Sequence, residues 1–413
     1  FDMVSISFAA PFLIKDWGVA PDMIGIVFSV VAVGMVLGGV FLAPIGDKIG
    51  RRPTLLGAMA LMGVLMVATS LANSITALVV IRFFTGLMLG VLISNLNVIV
   101  SEFSNRRSAS VMIGLLHIGY AIGAVLCSGL AALLIESHGW QSIFLVGAAL
   151  NFVMVAVGFF VLPESLDFLI SRRPAKALER INSFLIRTGR EALEVLPEVP
   201  ATVAKPKVGM SGLVAAGLAG SAVLLMIAGF AHYFTSQFQS NWTPKILTDV
   251  GLSTTMALSS GMVLGFGAAG GNLLMGFLSS RFDARYVTVV FFGLCALSLL
   301  TFGFGAAHPV LLLTAAGAIS LFIQGSYTGI VINATRTFPA EMRSTGMGIV
   351  VGLGRTGGVL GTYLAGVFMT WGWDRSAFYP VFAGVCTVGM IAIILLRSTH
   401  SKAAPAAKPA TAS

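Results

Sequence analysis

The sequence is poor in charge. Only 10% of its 413 residues are Asp, Glu, Lys or Arg, against roughly 25% in an ordinary soluble domain. Cysteine is scarce as well. Cys127, Cys295 and Cys386 stand far apart in apolar runs, which excludes a disulfide framework and any cysteine-based metal spacing. There is no His-Glu-x-x-His, no nucleophile elbow and no phosphate loop. The enzyme classes that depend on those motifs therefore have no support. The chain is not expected to be an enzyme, and neither a metal nor a cofactor is expected. No cleavable signal peptide is visible.

What is there is apolar. Hydrophobic residues make up 57% of the chain, and mean hydropathy is +0.95. A protein core cannot absorb that excess over so many residues, so the bilayer must act as solvent. The 48 glycines fit this reading, because small residues let membrane helices approach closely.

Apolar runs divided by short polar loops predict an all-α membrane protein of twelve spans: 1–14, 23–45, 54–72, 76–100, 109–135, 141–162, 213–240, 254–279, 286–305, 309–335, 345–370 and 377–396. The first run, Phe1 to Ile14, reaches only about 21 Å as a helix. A span needs about 20 residues, so the first helix is expected to be truncated at its start. A long polar segment separates six spans from six. The expected organisation is an N-terminal bundle (1–162), a cytoplasmic linker (163–212), a C-terminal bundle (213–397) and a cytoplasmic tail (398–413). Within the linker, Ala175 to Arg190 reads as a short amphipathic surface helix.

Orientation follows from the basic residues. Of the 25 Lys and Arg, twenty fall on one side, and Lys15, Lys245 and Arg375 on the other. Arg82 and Arg355 fall inside spans. The basic side, with the linker and both termini, is expected to face the cytoplasm. The net charge of +9 is thereby explained as topology, and nucleic acid is not an expected partner.

The two halves echo each other. Span 2 ends in Gly46-Asp47-Lys48-Ile49-Gly50-Arg51-Arg52, and span 8 in Ser280-Arg281-Phe282-Asp283-Ala284-Arg285. Glu102 and Arg107 precede span 5, as Glu341 and Arg343 precede span 11. Gly119-Tyr120 and Gly354-Arg355 fall at similar depth. Duplicated six-helix units are a mark of secondary transporters, whose site lies between the halves near the midplane.

The loop Gly46 to Arg52 resembles the signature loop of the major facilitator superfamily, and the likeness covers essentially the whole chain. Arg82-x3-Gly86-x3-Gly90 and Pro163-Glu164-Ser165 match superfamily patterns too. A narrower resemblance is to the aromatic acid:proton symporters, the 4-hydroxybenzoate and benzoate type. It rests on Phe1-Asp2 with Pro11, on Asn241-Trp242-Thr243-Pro244 closing span 7, on Phe338-Pro339-Ala340-Glu341-Met342-Arg343, and on Gly352-Leu353-Gly354-Arg355. This resemblance implies two pseudo-symmetric six-helix bundles and functional charges at Asp2, Asp47, Arg82, Glu102, Arg343 and Arg355. It also implies a monomer in the bacterial inner membrane. Where the family usually carries Asp in the second-half loop this chain has Ser280, with Asp283 three residues on.

Asp2 is the only acid inside an expected span. It lies 13 residues before Lys15, about 20 Å from the end of the helix, where a carboxylate is costly to ionise. It is the expected proton carrier, with Arg82 as an assisting or structural cation. Arg355 lies 12 residues after Arg343, about 18 Å into span 11. Its planar fork matches a carboxylate, so it is the expected substrate grip, with a structural ion pair as the other reading. His117, Tyr120, Tyr233, Gln237, Gln324 and Tyr327 are expected to line a polar, aromatic-walled cavity. Asn95, Asn97 and Asn333 belong to the same polar set, any one of which serves equally well as interhelical glue. Gating charges are expected at Asp47, Arg51, Arg52, Glu102, Arg281, Asp283, Glu341 and Arg343. The function expected is proton-coupled import of small aromatic carboxylates by alternating access. Carriage of another organic anion, a sugar or a drug is the alternative.

Overall fold

The computed structural model describes residues 1–104, 109–174, 176–187, 189–196, 217–338 and 346–396. Six helices form the first half: α1 Asp2–Trp17, α2 Pro21–Leu37, α3 Arg51–Ser70, α4 Ile75–Glu102, α5 Ala109–His138 and α6 Gln141–Val161. Two short helices follow, α7 Leu166–Arg172 and α8 Ala177–Arg187. The second half holds α9 Ala219–Asp249, α10 Thr254–Arg281, α11 Ala284–Phe304, α12 Pro309–Thr337, α13 Thr356–Thr370 and α14 Arg375–Leu395. Nine helices among the described residues are long and apolar enough to cross a membrane. The other three expected spans are α1, with 16 residues, α5, of which Ile122–His138 is a shorter apolar stretch, and the interrupted eleventh.

Local chemistry sets the helix starts. Proline stands in the first turn of α2 and α12, where its missing N–H costs nothing and its φ is already helical. Ser165, Ser253, Asp283 and Asp374 each accept a backbone N–H at the start of α7, α10, α11 and α14, satisfying donors that have no intrahelical partner. Gly50 takes a φ of +108° between α2 and α3, a conformation open mainly to glycine.

Packing repeats between the halves. Helix α2 packs on α4 as α10 packs on α12, and α3 on α6 as α11 on α14. Across the interface, α2 meets α13 and α5 meets α10; exchanging the halves turns one contact into the other. The closest crossings repeat to the residue. A Cβ on Gly34 or Gly38 would lie 2.4 Å from the Phe83 carbonyl oxygen or 2.0 Å from that of Leu87. On Gly267 or Gly271 it would lie 2.6 Å from the Gly317 oxygen or 1.9 Å from that of Leu321. Only glycine permits such backbone contact, and it stands where the duplicated pattern requires it.

Four details depart from the sequence expectations. Span 7 was expected to end near residue 240 with Asn241-Trp242-Thr243-Pro244 closing it; α9 instead runs through Pro244 to Asp249. The buried indole of Trp242 donates to the Thr362 carbonyl at 2.9 Å and packs edge-on against Phe28, so this stretch is tied to the other helices. The polar linker holds two helices, α7 and α8, where one was expected. The eleventh span is interrupted by a π turn at Gly348–Leu353. A matching interruption, Gly38–Leu42, precedes a 3-10 turn and the short turn Gly46–Ile49 that finishes the second span.

Candidate functional site

A cavity of about 300 Å³ lies between the halves. Helices α1, α2, α4 and α5 give it Met3, Met35, Asn97 and Tyr120; α9 and α12 give it His232, Tyr233, Ser236, Gln237, Gln324 and Tyr327; Arg355 closes the ring. Five of the six cavity residues expected from the sequence are therefore brought together. The sixth, His117, lies on α5, but its side chain falls outside the described residues, as do Glu341 and Arg343.

Arg355 stands at the start of α13, directly after the π turn. Extra residues in a helical turn re-aim the side chains that follow, and such turns cluster at functional sites. The guanidinium carbon lies 6.0 Å from the centre of the Tyr233 ring. Its Nε has no hydrogen-bond partner, and among the described residues no carboxylate pairs with it. The structural ion pair that the sequence left open for Arg355 is absent among those residues. A second cavity of about 240 Å³, lined by Gly39, Val40, Gly90, Ser94 and Gly352, meets Arg355 from the lysine- and arginine-rich end.

Three rings beside Arg355 support one another. His232 stacks on Tyr327 with centres 4.8 Å apart and meets Tyr233 edge-on at 4.9 Å, while Tyr233 and Tyr327 meet edge-on at 5.8 Å. His232 is buried, and its Nδ1 lies 3.0 Å from the Ile323 carbonyl. A carbonyl oxygen can only accept, so Nδ1 carries the hydrogen and Nε2 of the neutral ring keeps its lone pair.

Asp2 and Arg82 form a separate site outside the cavity lining. Arg82 Nη1 lies 3.2 Å from Asp2 Oδ1, with both side chains almost wholly buried. Arg82 also donates to Thr69 at 3.4 Å and lies 4.8 Å over the Phe144 ring. The other Asp2 oxygen, Oδ2, has no partner. The next residue, Met3, is in the cavity wall, so α1 connects the ion pair to the cavity.

The hydrogen bonds that join the halves among the described residues lie towards the end opposite the basic one. Ser29 donates to the Val359 carbonyl at 2.9 Å and Ser128 to that of Leu258 at 2.6 Å. Ser7 donates to Asn241, which donates to Thr362.

At the basic end, the expected gating charges form networks within each half. Arg51 joins Asp47 at 3.2 Å and Glu102 at 3.1 Å. Ser165 donates to Glu102 at 2.6 Å, and Glu164 accepts the backbone N–H groups of Arg51 and Arg52 at 2.9 and 3.1 Å. Arg52 donates to the Phe159 carbonyl and covers its ring. In the second half Asp283 caps α11 and lies 3.9 Å from Arg336. Arg281 covers the Phe277 ring, Arg285 donates to the Ile393 and Ile394 carbonyls, and Ser280 bonds within its own helix.

A profile of the Major Facilitator Superfamily matches residues 1–265 and 225–413. The chain belongs to the major facilitator superfamily. It is an integral membrane protein of that fold. The gallate transporter of Pseudomonas putida is 27% identical over 410 residues, covering 98% of this chain and 91% of that protein. The 4-hydroxybenzoate transporter PcaK of Pseudomonas aeruginosa is 28% identical, covering 90% and 84%. The benzoate transport protein of Acinetobacter baylyi is 26% identical, covering 95% and 84%. Among solved structures, the inward open xylose transporter XylE of E. coli superposes with a TM-score of 0.77 at 13% identity, covering 97% of this chain and 94% of that one. The nucleoside transporter NupG superposes at 0.73 with 12% identity, covering 95% and 96%. These likenesses establish the superfamily fold.

Sequence reasoning missed His232 and Ser236 in the cavity and the part played by Glu164 at the basic end. An ionisable group inside a span is a site candidate by default, and that signal was present at His232. Glu164 was visible as part of a motif, but its partners lie 112 and 113 positions away.

Proposed function

We propose that this protein is a proton-coupled symporter that imports small aromatic carboxylates by alternating access. The observation that carries the reading is Arg355: a cation without a carboxylate partner among the described residues, in an aromatic-walled cavity between the halves. A guanidinium there binds a carboxylate through paired, charge-assisted hydrogen bonds, and Tyr233, Tyr327 and Tyr120 offer faces and edges to an aromatic ring. The relatives' named cargoes, gallate, 4-hydroxybenzoate and benzoate, fit this chemistry. A sugar site would have no use for an uncompensated guanidinium.

Asp2 is the proposed proton carrier. When Asp2 takes a proton the charge opposite Arg82 is lost, and the pair that holds α1 against α4 loosens. Met3 transmits that change to the cavity. Lysine and arginine bias supports an orientation in the bacterial inner membrane with the basic end towards the cytoplasm. With the interhalf hydrogen bonds at the other end, this arrangement fits an inward-facing state of the proposed cycle. Coupling requires that loaded and empty carriers change state readily and half-loaded ones do not. The Asp47–Arg51–Glu102 cluster, Arg52, and the basic residues Arg281 and Arg285 with Asp283 are the proposed cytoplasmic gates, together with Glu341 and Arg343. The protein is proposed to act as a monomer and as a carrier rather than an enzyme.

The test is uptake of labelled hydroxybenzoates and benzoate into proteoliposomes, with and without an inward proton gradient. Gradient-driven accumulation of one of them is expected. No accumulation of any by folded protein sinks the proposal.

A further inference from the structure

We infer that His232 reads a ring hydroxyl on the cargo, so that the site takes hydroxylated aromatic acids in preference to unsubstituted benzoate. This rests on the proposed function and deepens it. Two observations on the cavity wall carry it. First, the Nδ1 hydrogen is committed to the Ile323 carbonyl at 3.0 Å. The neutral ring thus presents only an acceptor at Nε2, which has no partner among the described residues. An acceptor held at a fixed place in the cavity wall favours a ligand that brings a donor to it. A phenolic O–H is such a donor; a bare or methylated ring position is not.

Second, the imidazole is held in place. It stacks on Tyr327 and meets the edge or face of Tyr233, which fixes its plane and limits its freedom to turn away. Tyr233 also lies beneath Arg355, 6.0 Å from ring centre to guanidinium carbon, and 4.9 Å from the His232 ring centre. Taken end to end, these distances put the imidazole centre within 10.9 Å of the guanidinium. An aromatic acid held at its carboxylate by Arg355 therefore has its ring within reach of the imidazole, where a ring hydroxyl can meet Nε2. Ser236, Gln237 and Gln324 also line the cavity, but hydroxyl and amide groups both donate and accept. They tolerate a ligand with or without a donor. His232, with its tautomer set, does not.

The experiment measures binding to the purified full-length protein of 3- and 4-hydroxybenzoate, the corresponding methoxybenzoates and benzoate. The proteins are wild type, His232→Phe and His232→Gln. Wild type is expected to bind one hydroxybenzoate about tenfold or more tightly than its methoxy analogue and benzoate. His232→Phe is expected to bring the three to within about twofold while benzoate binding persists, and His232→Gln, whose amide oxygen still accepts, to keep part of the preference. Equal wild-type affinity for the hydroxylated and unsubstituted acids overturns the inference and leaves the proposed function standing. So does an equal loss of all ligands in His232→Phe, which marks a packing role. The wild-type series can overturn the inference even where one variant fails to fold, and the other variant then tests the assignment to His232. Wild-type protein that binds none of these acids overturns both proposals.

Discussion

Asp2 and Arg82, eighty positions apart, share a buried ion pair of 3.2 Å. Arg355, the other cation inside a span, is left to the cavity. The two intramembrane arginines therefore have different environments: one is paired with a carboxylate, and the other has no carboxylate partner among the described residues.

Removing one member of the pair leaves the other charge buried without compensation, at a cost of about 3–5 kcal/mol. Arg82→Met is expected to lower thermal stability in detergent strongly. Adding Asp2→Asn to that variant should restore most of the loss, because no charge then remains. A double variant as unstable as Arg82→Met alone would contradict a direct pairing.

Asp2→Asn keeps the shape of the carboxylic acid but cannot exchange a proton. Proton-driven accumulation in proteoliposomes should disappear, while exchange of internal for external substrate continues. If the variant still accumulates substrate in response to a proton gradient, Asp2 is not the carrier.

Arg355→Ala should weaken carboxylate binding by about 1.5–3 kcal/mol, the range for hydrogen bonds to charged groups. Arg355→Lys should recover only part of it, since an ammonium is a point charge without the planar fork. Isothermal titration with the transported acid checks both. Full affinity in Arg355→Ala would remove the residue from the site.

Glu164 accepts the first backbone N–H groups of α3 from the loop after α6. Glu164→Ala should cost about 1 kcal/mol, as the loss of a helix cap does. Its melting temperature should fall, and the substrate dissociation constant should not change. A tighter or weaker site in this variant would show that the network reaches the cavity.

Gly38→Ala and Gly271→Ala each place a Cβ about 2 Å from a carbonyl oxygen of the facing helix. Each should destabilise by about 1–3 kcal/mol through forced separation of the helices. Gly57→Ala meets nothing within 4 Å and should be neutral or slightly stabilising, since alanine is the better helix former. Equal melting temperatures for all three would deny that these crossings are tight.

Composition and pattern alone determined a great deal here. Twenty-residue apolar runs admit few structures in lipid, because every backbone polar group must be satisfied within its own helix. The duplicated loops, with Gly119-Tyr120 and Gly354-Arg355 at similar depth, announced two equivalent halves. The rarity of charge inside the spans singled out Asp2, Arg82 and Arg355, since buried ionisable groups are expensive and few.

Partnership was decided only in three dimensions. The sequence left the ion-pair partner of each buried charge open, and the fold brought Asp2 of α1 within 3.2 Å of Arg82 on α4. The π turn that sets Arg355 at the start of α13 has no clear composition signal, because a one-residue change in helical register comes from packing. The sequence marks His232 only as an ionisable group inside a span; the Ile323 carbonyl, the adjacent Tyr233 ring and the distant Tyr327 ring give it a fixed tautomer and a place in the wall. Local residue chemistry sets where helices start and which groups need partners, whereas the choice among partners depends on how the helices cross.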